Sequence, residues 1–287
     1  MRCTKAIIPV AGYGTRRFPV TKTIEKCMLP IVNRPVIDYV VEDCVKAGIT
    51  DIYFVVSEES TQLHDYYQQK PRVEAYLRTN GKEALIPLVQ PPQDVRFHFV
   101  TQDTSPNALY GTSIPVWLCR EYVEPGEHVL VLMGDDFIFR TDGQSEAARL
   151  MATVATDGGS ALLAAEVDPS QVSSYGVIAM KEVDGANIFS HIQEKPRPEE
   201  AESNLINISK YLFEARFFTY LEQSIQQHTG KGEYYITDAL NAYVEAGNRT
   251  YVLPAEGQYL DSGTVENWIK ANQVVFAAEQ AKEGHGS

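Results

Sequence analysis

Residues 6–30 read "AIIPVAGYGTRRFPVTKTIEKCMLP". An apolar run ends in two glycines, Gly12 and Gly14. Arg16, Arg17, Lys22 and Lys26 follow, opposed only by Glu25. Glycines at a strand mouth let backbone N–H groups approach an anion closely. The two familiar phosphate loops do not match. A dinucleotide fingerprint needs a third glycine where Arg17 stands, and the next strand ends "VVSEES" about 45 residues on rather than ~20. A Walker A loop needs Gly-Lys-Ser/Thr, but Gly14 is followed by Thr15 and Arg16. What remains is a loop suited to a triphosphate. Arg16 can fork onto phosphate oxygens, and Lys26 adds a point charge. Arg17 and Lys22 are expected to add supporting field.

Outward from that stretch, "KAIIPV" is a strand. "NRPVIDYVVEDCVKAGIT" has apolar residues at helical spacing, with Pro35 expected at the first helical position and Gly48 at the C-terminal cap. "DIYFVVS" is a second strand, so the three form a βαβ unit with parallel strands. A helical stretch broken at Pro71, the strand "VRFHFVTQ" and a helix, or a helix after a turn, over "LYGTSIPVWLCREYV" with Pro115 inside it come next. "EHVLVLMGDDFIF" reads as one buried strand carrying two carboxylates near its end. "SEAARLMATVATDGG" is a helix and "SALLAAEV" a strand. Past Pro169 the pattern turns β-rich: a hairpin with Asp184-Gly185 at its turn, the strand "NLINISKYLF", two helices and short strands. A closing helix is capped by Thr264 or Ser262, and its Val274, Val275 and Phe276 are contact or core residues. "EGHGS" (283–287) reads as a frayed tail. The expectation is one α/β domain with a β-rich lobe in its second half.

The chain has 287 residues and a net charge of −13. Residues 1–34 hold seven bases against Glu25, a net +6, so the rest carries −19. Such a balance argues against general nucleic-acid binding. No apolar run approaches the ~20 residues of a membrane span, and no secretory signal is read. Cys3, Cys27, Cys44 and Cys119 form no CxxC pair, so reduced thiols in a cytoplasmic protein are expected. The six histidines and the serines show no metal, triad or nucleophile-elbow spacing.

Carboxylates at strand ends of an α/β sheet face the ligand crevice. Asp135 or Asp136 of "MGDD" can therefore hold Mg²⁺, and Asp261 of "LDSG" is a third candidate. In "EKP", Glu194 suits sugar hydroxyls and Lys195 a sugar phosphate.

Together these motifs resemble bacterial UTP–glucose-1-phosphate uridylyltransferases, a family of sugar-nucleotide pyrophosphorylases. "PVAGYGTRRFPVTKTIEKCMLP" carries the resemblance, and "VIDYVVEDCVKAGITDI", "VTQ", "YGVI", "EKP", "SNL" with "KY", "ITDAL" and "DSG" continue it in order, with no role implied for Lys210 of "KY". The resemblance implies a Rossmann-like nucleotidyltransferase fold: a mixed, mostly parallel central sheet flanked by helices, with a smaller β-rich sugar-binding part. It implies a single domain over 1–287, residues 1–168 mainly nucleotide-binding and 169–287 mainly sugar-phosphate-binding. It implies Mg²⁺-dependent transfer from UTP to glucose 1-phosphate with release of pyrophosphate, by a homo-oligomer (dimer or tetramer). By position, Ala11 and Gly12 meet the base, while Gly14, Thr15, Arg16 and Lys26 line the triphosphate. Gln102 reads the uracil edge and Gly111 lets the base approach. Asp135 and Asp261 hold metal, and Gly176, Glu194 and Lys195 bind the sugar phosphate.

Four features depart from the family pattern: Tyr13 for a smaller apolar residue, "MGDDFI" for "LPD", Ser209 for glycine, and "LDSGT", which is similar to the thymidylyltransferase relatives. A thymidylyltransferase using dTTP is accordingly the first alternative. A nicotinamide-dependent oxidoreductase and a non-catalytic nucleotide-sensing module are the others.

Overall fold

A computed structural model describes residues 2–229 and 232–284; of the tail 283–287 read above as frayed, Glu283 and Gly284 instead end the last helix, and 285–287 lie outside the described residues. In chain order, β1 (Arg2–Pro9) leads through three single-turn 3-10 segments to the two-residue bridge β2 (Pro30–Ile31) and β3 (Arg34–Pro35), then α1 (Val36–Lys46). β4 (Asp51–Ser57), α2 (Gln62–Tyr66), α3 (Pro71–Thr79) and β5 (Arg96–Gln102) follow. Next come α4 (Ser113–Leu118), β6 (Glu127–Leu132), β7 (Asp136–Phe139), α5 (Glu146–Val154) and β8 (Ser160–Glu166). The second half holds the hairpin β9 (Gly176–Val183) and β10 (Ala186–Glu194), then β11 (Leu205–Glu214), α6 (Phe217–Gln227) and α7 (Ile236–Glu245). β12 (Thr250–Pro254), β13 (Gln258–Asp261) and α8 (Val265–Gly284) close the chain.

Nine strands form one sheet in the order β5-β4-β1-β6-β11-β8-β12-β10-β9. β5, β4, β1 and β6 are mutually parallel, as the βαβ reading requires. β11 runs antiparallel between β6 and β8, which makes the sheet mixed. Alternation along each strand feeds two apolar layers. Ala6, Ile8, Ile52, Phe54, Leu130 and Leu132 face the side covered by α1 and α5. Ile7, Tyr53, Val55, Val129 and Val131 face the side covered by α4, α6 and α7. Burial of each such side chain contributes roughly 1.5–3 kcal/mol. Among the described residues no helix is long and apolar enough to cross a membrane. All four cysteines are free and buried, and burial pushes the Cys3, Cys27 and Cys119 thiols up to about 12.

Local signals place most element ends. Gly48, at φ 83, follows α1 and hydrogen-bonds back to Val45. Asp184 and Gly185 both have positive φ, which gives the β9–β10 hairpin its tight turn. Ser145 caps α5 by accepting the Ala148 N–H at 3.0 Å, and Thr264 caps α8 through Asn267 at 3.2 Å. Pro35 corrects its expectation: it is the extended N-cap residue, paired with Pro30 across the bridge, and α1 begins at Val36.

"EHVLVLMGDDFIF" is also corrected, since it is two strands rather than one. The chain leaves the main sheet after Leu132, and Asp136–Phe139 pairs with Gln258–Asp261 in a separate two-stranded sheet. Gly134 permits the exit. A Cβ there would stand 2.4 Å from Val10 Cγ1 and 3.1 Å from Ile8 Cγ2. The carboxylates thus sit on a turn and at the start of β7.

Candidate active site

From β1 the chain crosses to β4 on one side, while β6 pairs on the other. This reversal opens a crevice at the carboxyl ends of the strands. The glycine loop after β1 and the Met133–Asp136 turn after β6 border it. A cleft beside the loop is lined by Ala11, Gly12, Tyr13, Lys22, Lys26, Ser57 and Glu59, among others. Gly14 takes φ 64, and a Cβ there would lie 2.9 Å from Lys26 Cβ. Lys26 lies across the loop, its Nζ 3.5 Å from where a Gly12 Cβ would stand. It ends in an ion pair with Asp135, Nζ to Oδ2 2.7 Å. Both side chains stay partly open, at 20% and 26%. Burial pushes the Asp135 carboxyl up, but Lys26, Lys210 and Arg17 outweigh it and hold it down to about 2.

Arg17 does add supporting field, helping to lower the Asp135 carboxyl, but it does so from inside the protein, where it is 2% exposed. Its Nη1 donates to the Lys26 carbonyl and to Ser262 Oγ, each at 3.4 Å. Burial lowers its pKa, with Asp135 and Asp261 opposing. The guanidinium is therefore an internal counter-charge behind the acids, with no free fork for phosphate. Arg16, by contrast, is exposed, as are Thr15 and Gly12.

Asp261 is held from two sides: its Oδ1 accepts the Gly263 N–H at 2.6 Å and its Oδ2 accepts from Asn267 Nδ2 at 2.7 Å. It lies opposite Asp136 in the β7–β13 register. Among the described residues no group of three or more His, Cys, Asp or Glu side chains stands ready to hold a metal. Asp135 and Asp261 nonetheless offer hard carboxylate oxygens of the kind that suits Mg²⁺, which takes one or two carboxylates and completes its shell with water and phosphate.

Gln102 ends β5 as a buried side chain, beside Ser57 at the end of β4. Two residues on, Thr104 Oγ1 is 3.0 Å from the Tyr13 hydroxyl and donates to Glu58 Oε2 at 2.9 Å. The unexpected Tyr13 thus ties the glycine loop to the loop that follows Gln102. Gly111 has φ 117, and the Tyr234 backbone nitrogen lies 2.4 Å from where its Cβ would stand. Its bareness admits a neighbouring strand of chain, a reason separate from base binding.

At the end of the β9–β10 hairpin, Gly176 opens β9 directly opposite Glu194 at the end of β10. A Cβ on Gly176 would stand 3.4 Å from Glu194 Oε2. Lys195 has φ 47, and its N–H donates to the Tyr175 carbonyl at 3.1 Å. Its ammonium lies 3.7 Å from Glu194, with the side chains 61% and 71% exposed. The structure therefore joins Gly176, Glu194 and Lys195 at one hairpin end and Lys26 with Asp135 at another place. Ser209 does what the expected glycine would do. It takes φ 52, its N–H held by Asn207 Oδ1 at 3.1 Å.

Sequence reasoning missed Lys210 and Tyr259. Lys210 Nζ donates to the Met133 carbonyl at 2.7 Å and the Asp136 carbonyl at 3.2 Å, and pairs with Asp136 Oδ1. Tyr259 donates to Asp136 Oδ2 at 3.0 Å. Burial pushes the Asp136 carboxyl up to about 6 against the opposing Lys210, and both its oxygens are already engaged, by Lys210 and Tyr259. A single base inside the apolar run "NISKYLF" was the available signal.

A phosphate-friendly loop facing carboxylates across a switch point defines a nucleotide-handling enzyme, and the comparisons make the class definite. The chain belongs to the nucleotidyl transferase family, whose sequence pattern matches residues 5–277. It is 34% identical over 273 residues to the UTP–glucose-1-phosphate uridylyltransferase of Streptococcus pneumoniae, covering 93% of this chain and 88% of that one. Its fold is similar to apo UDP-glucose pyrophosphorylase, with TM-score 0.86 and 28% identity over 97% of this chain and 100% of that one. It also matches a UDP-glucose pyrophosphorylase complexed with UDP-glucose, with TM-score 0.79 and 29% identity over the same shares, 97% and 100%.

Proposed function

We propose that this enzyme transfers a uridylyl group from UTP to glucose 1-phosphate, giving UDP-glucose and pyrophosphate. The observation that carries the reading is Lys26, laid across Gly12 and Gly14 and ion-paired with Asp135 at the sheet's switch point. A phosphate oxygen of glucose 1-phosphate attacks the α-phosphorus of UTP in line. The new P–O bond forms as the bond to the β-phosphate oxygen breaks. A sugar phosphate with a second pKa near ~6 is already a dianion at pH 7, so no general base is needed. Catalysis is then alignment and charge neutralisation. Arg16 and Lys26 neutralise the departing pyrophosphate. Gly14 and Thr15 offer backbone to the triphosphate, while Ala11, Gly12, Gln102 and Gly111 form the base site. Gly176, Glu194 and Lys195 bind and orient the sugar phosphate. When bound, Mg²⁺ on Asp135 and Asp261 supplies further charge neutralisation on the phosphates.

The half carrying Gly176 to Asp261 serves mainly the sugar phosphate, and residues 1–168 mainly the nucleotide. A cytoplasmic homo-oligomer, dimer or tetramer, is part of the reading. Support comes from α8, where Val275 is buried but Ile269 and Phe276 are 48% and 53% exposed. Light scattering on the purified protein checks the assembly. A panel of nucleoside triphosphates against sugar 1-phosphates, read by pyrophosphate release with and without Mg²⁺, tests the reaction. UTP with glucose 1-phosphate is expected to be the fastest pair, and preference for dTTP would overturn the base assignment.

A further inference from the structure

The buried base behind the acids has no place in the reaction as written above. Lys210 stands on β11 where the register with β8 shifts between Asn207 and Lys210. Ser209, in its left-handed conformation, accepts the Met133 N–H at 3.3 Å. This irregularity turns the Lys210 side chain inward, where it is 5% exposed. Its ammonium has three N–H donors. All three have partners on one turn: the Met133 carbonyl, the Asp136 carbonyl and Asp136 Oδ1. Tyr259 fixes the other oxygen of Asp136, and Ser262 Oγ donates to the Asp135 carbonyl at 2.5 Å. The turn is thus tied on both sides of Asp135, leaving the Asp135 carboxylate at the cleft on Lys26.

A buried ion pair is a poor device for stability alone, because desolvating both charges offsets most of the attraction. It is a good device for holding a turn in one place. We propose that Lys210 is a positioning residue that fixes the Asp135 carboxylate for phosphate chemistry. The proposal rests on the role given to Asp135 above. Misplacing a catalytic group by an ångström costs on the order of 10²-fold in rate.

Lys210→Met, Lys210→Arg and the double variant Lys210→Met/Asp136→Asn separate positioning from stability. The double variant removes both buried charges, yet its amide oxygen still accepts from Tyr259. It is expected to unfold at a higher temperature than Lys210→Met. Each variant that folds is expected to lose tenfold or more in kcat, with KM for both substrates within threefold of the parent. The arginine keeps the charge but cannot serve three acceptors from one nitrogen. A loss under tenfold in the double variant or in Lys210→Arg, or a loss carried by KM, overturns the proposal. Asp135→Asn is assayed in parallel. Parental kcat in that variant would refute the role of Asp135 itself, whatever Lys210 does.

Discussion

Two charged lips, the proposed nucleotide lip with Lys26 and Asp135 and the proposed sugar lip with Glu194 and Lys195, are built differently. Lys26 and Asp135 meet at 2.7 Å, backed by buried Arg17 and Lys210. Glu194 and Lys195 stand more than half exposed, their charges 3.7 Å apart. The first lip has its charge placed before any substrate arrives. The second holds its backbone in position, through the Lys195 N–H to Tyr175 and the Gly176–Glu194 register, but leaves its side chains in water. The difference teaches that the Lys26–Asp135 lip is preorganised electrostatically. Ordering the exposed Glu194 and Lys195 side chains on a ligand would cost side-chain entropy on binding.

The largest expected effect is therefore at Lys26. Lys26→Ala should lower kcat/KM by about 10³, or about 4 kcal/mol, in a pyrophosphate-release assay. It also strips a partly buried carboxylate of its partner, so the unfolding temperature should fall. Lys195→Ala should come next, with a kcat loss of roughly 10²-fold, about 3 kcal/mol. Because its pair is exposed, the unfolding temperature should stay within error of the parent. Equal destabilisation by the two substitutions would erase the contrast between the lips.

The contrast was only partly visible in the sequence. Alternation along "KAIIPV" and "DIYFVVS", with a helical stretch between, announced the parallel unit because its two faces are both buried. The glycines and Lys26 were legible for the same reason that they work, since the chain returns on itself within about one dozen residues of Gly14. The buried bases were not. Arg17 sits beside Ser262, 245 positions away, and Lys210 reaches a turn 74 positions back. Only the folded topology makes such charges neighbours. "EHVLVLMGDDFIF" reads as one buried strand with two carboxylates because the exit at Gly134 is enforced by Val10 and Ile8 from another strand.

That exit supplies a third test. Gly134→Ala places a methyl 2.4 Å from Val10 Cγ1, under the Asp135 turn and at the mouth of β1. Overpacking of this kind costs about 1–3 kcal/mol, read as a lower denaturant midpoint at unchanged m-value. If the nucleotide lip is rigid, the same change should lower kcat as well, since the displaced turn carries Asp135. Full activity with reduced stability would show that the lip tolerates movement.

The smallest effect asks whether tight ion pairing by itself marks a working site. At the opposite end of the sheet Asp51 accepts two bonds from Arg96, at 2.8 and 2.6 Å, and one contact of 2.9 Å from His98. Burial pushes its carboxyl up, but Arg96, His98 and Thr50 prevail and hold it down to about 2. A carboxyl depressed on folding stabilises the native state above its unfolded pKa, near ~4. That contribution is lost as pH falls from about 4 through about 2. Arg96 is 72% exposed, so solvent screening trims the contribution to about 1 kcal/mol. Asp51→Asn should therefore lower stability by about that amount at pH 7, and the gap between variant and parent should shrink below about pH 4 and close below about pH 2. Turnover should be unchanged, because Asp51 starts β4 whereas the cleft lies beyond the strand's other end, at Ser57. A loss of turnover there would mean that charge placement matters throughout this sheet rather than at its switch point.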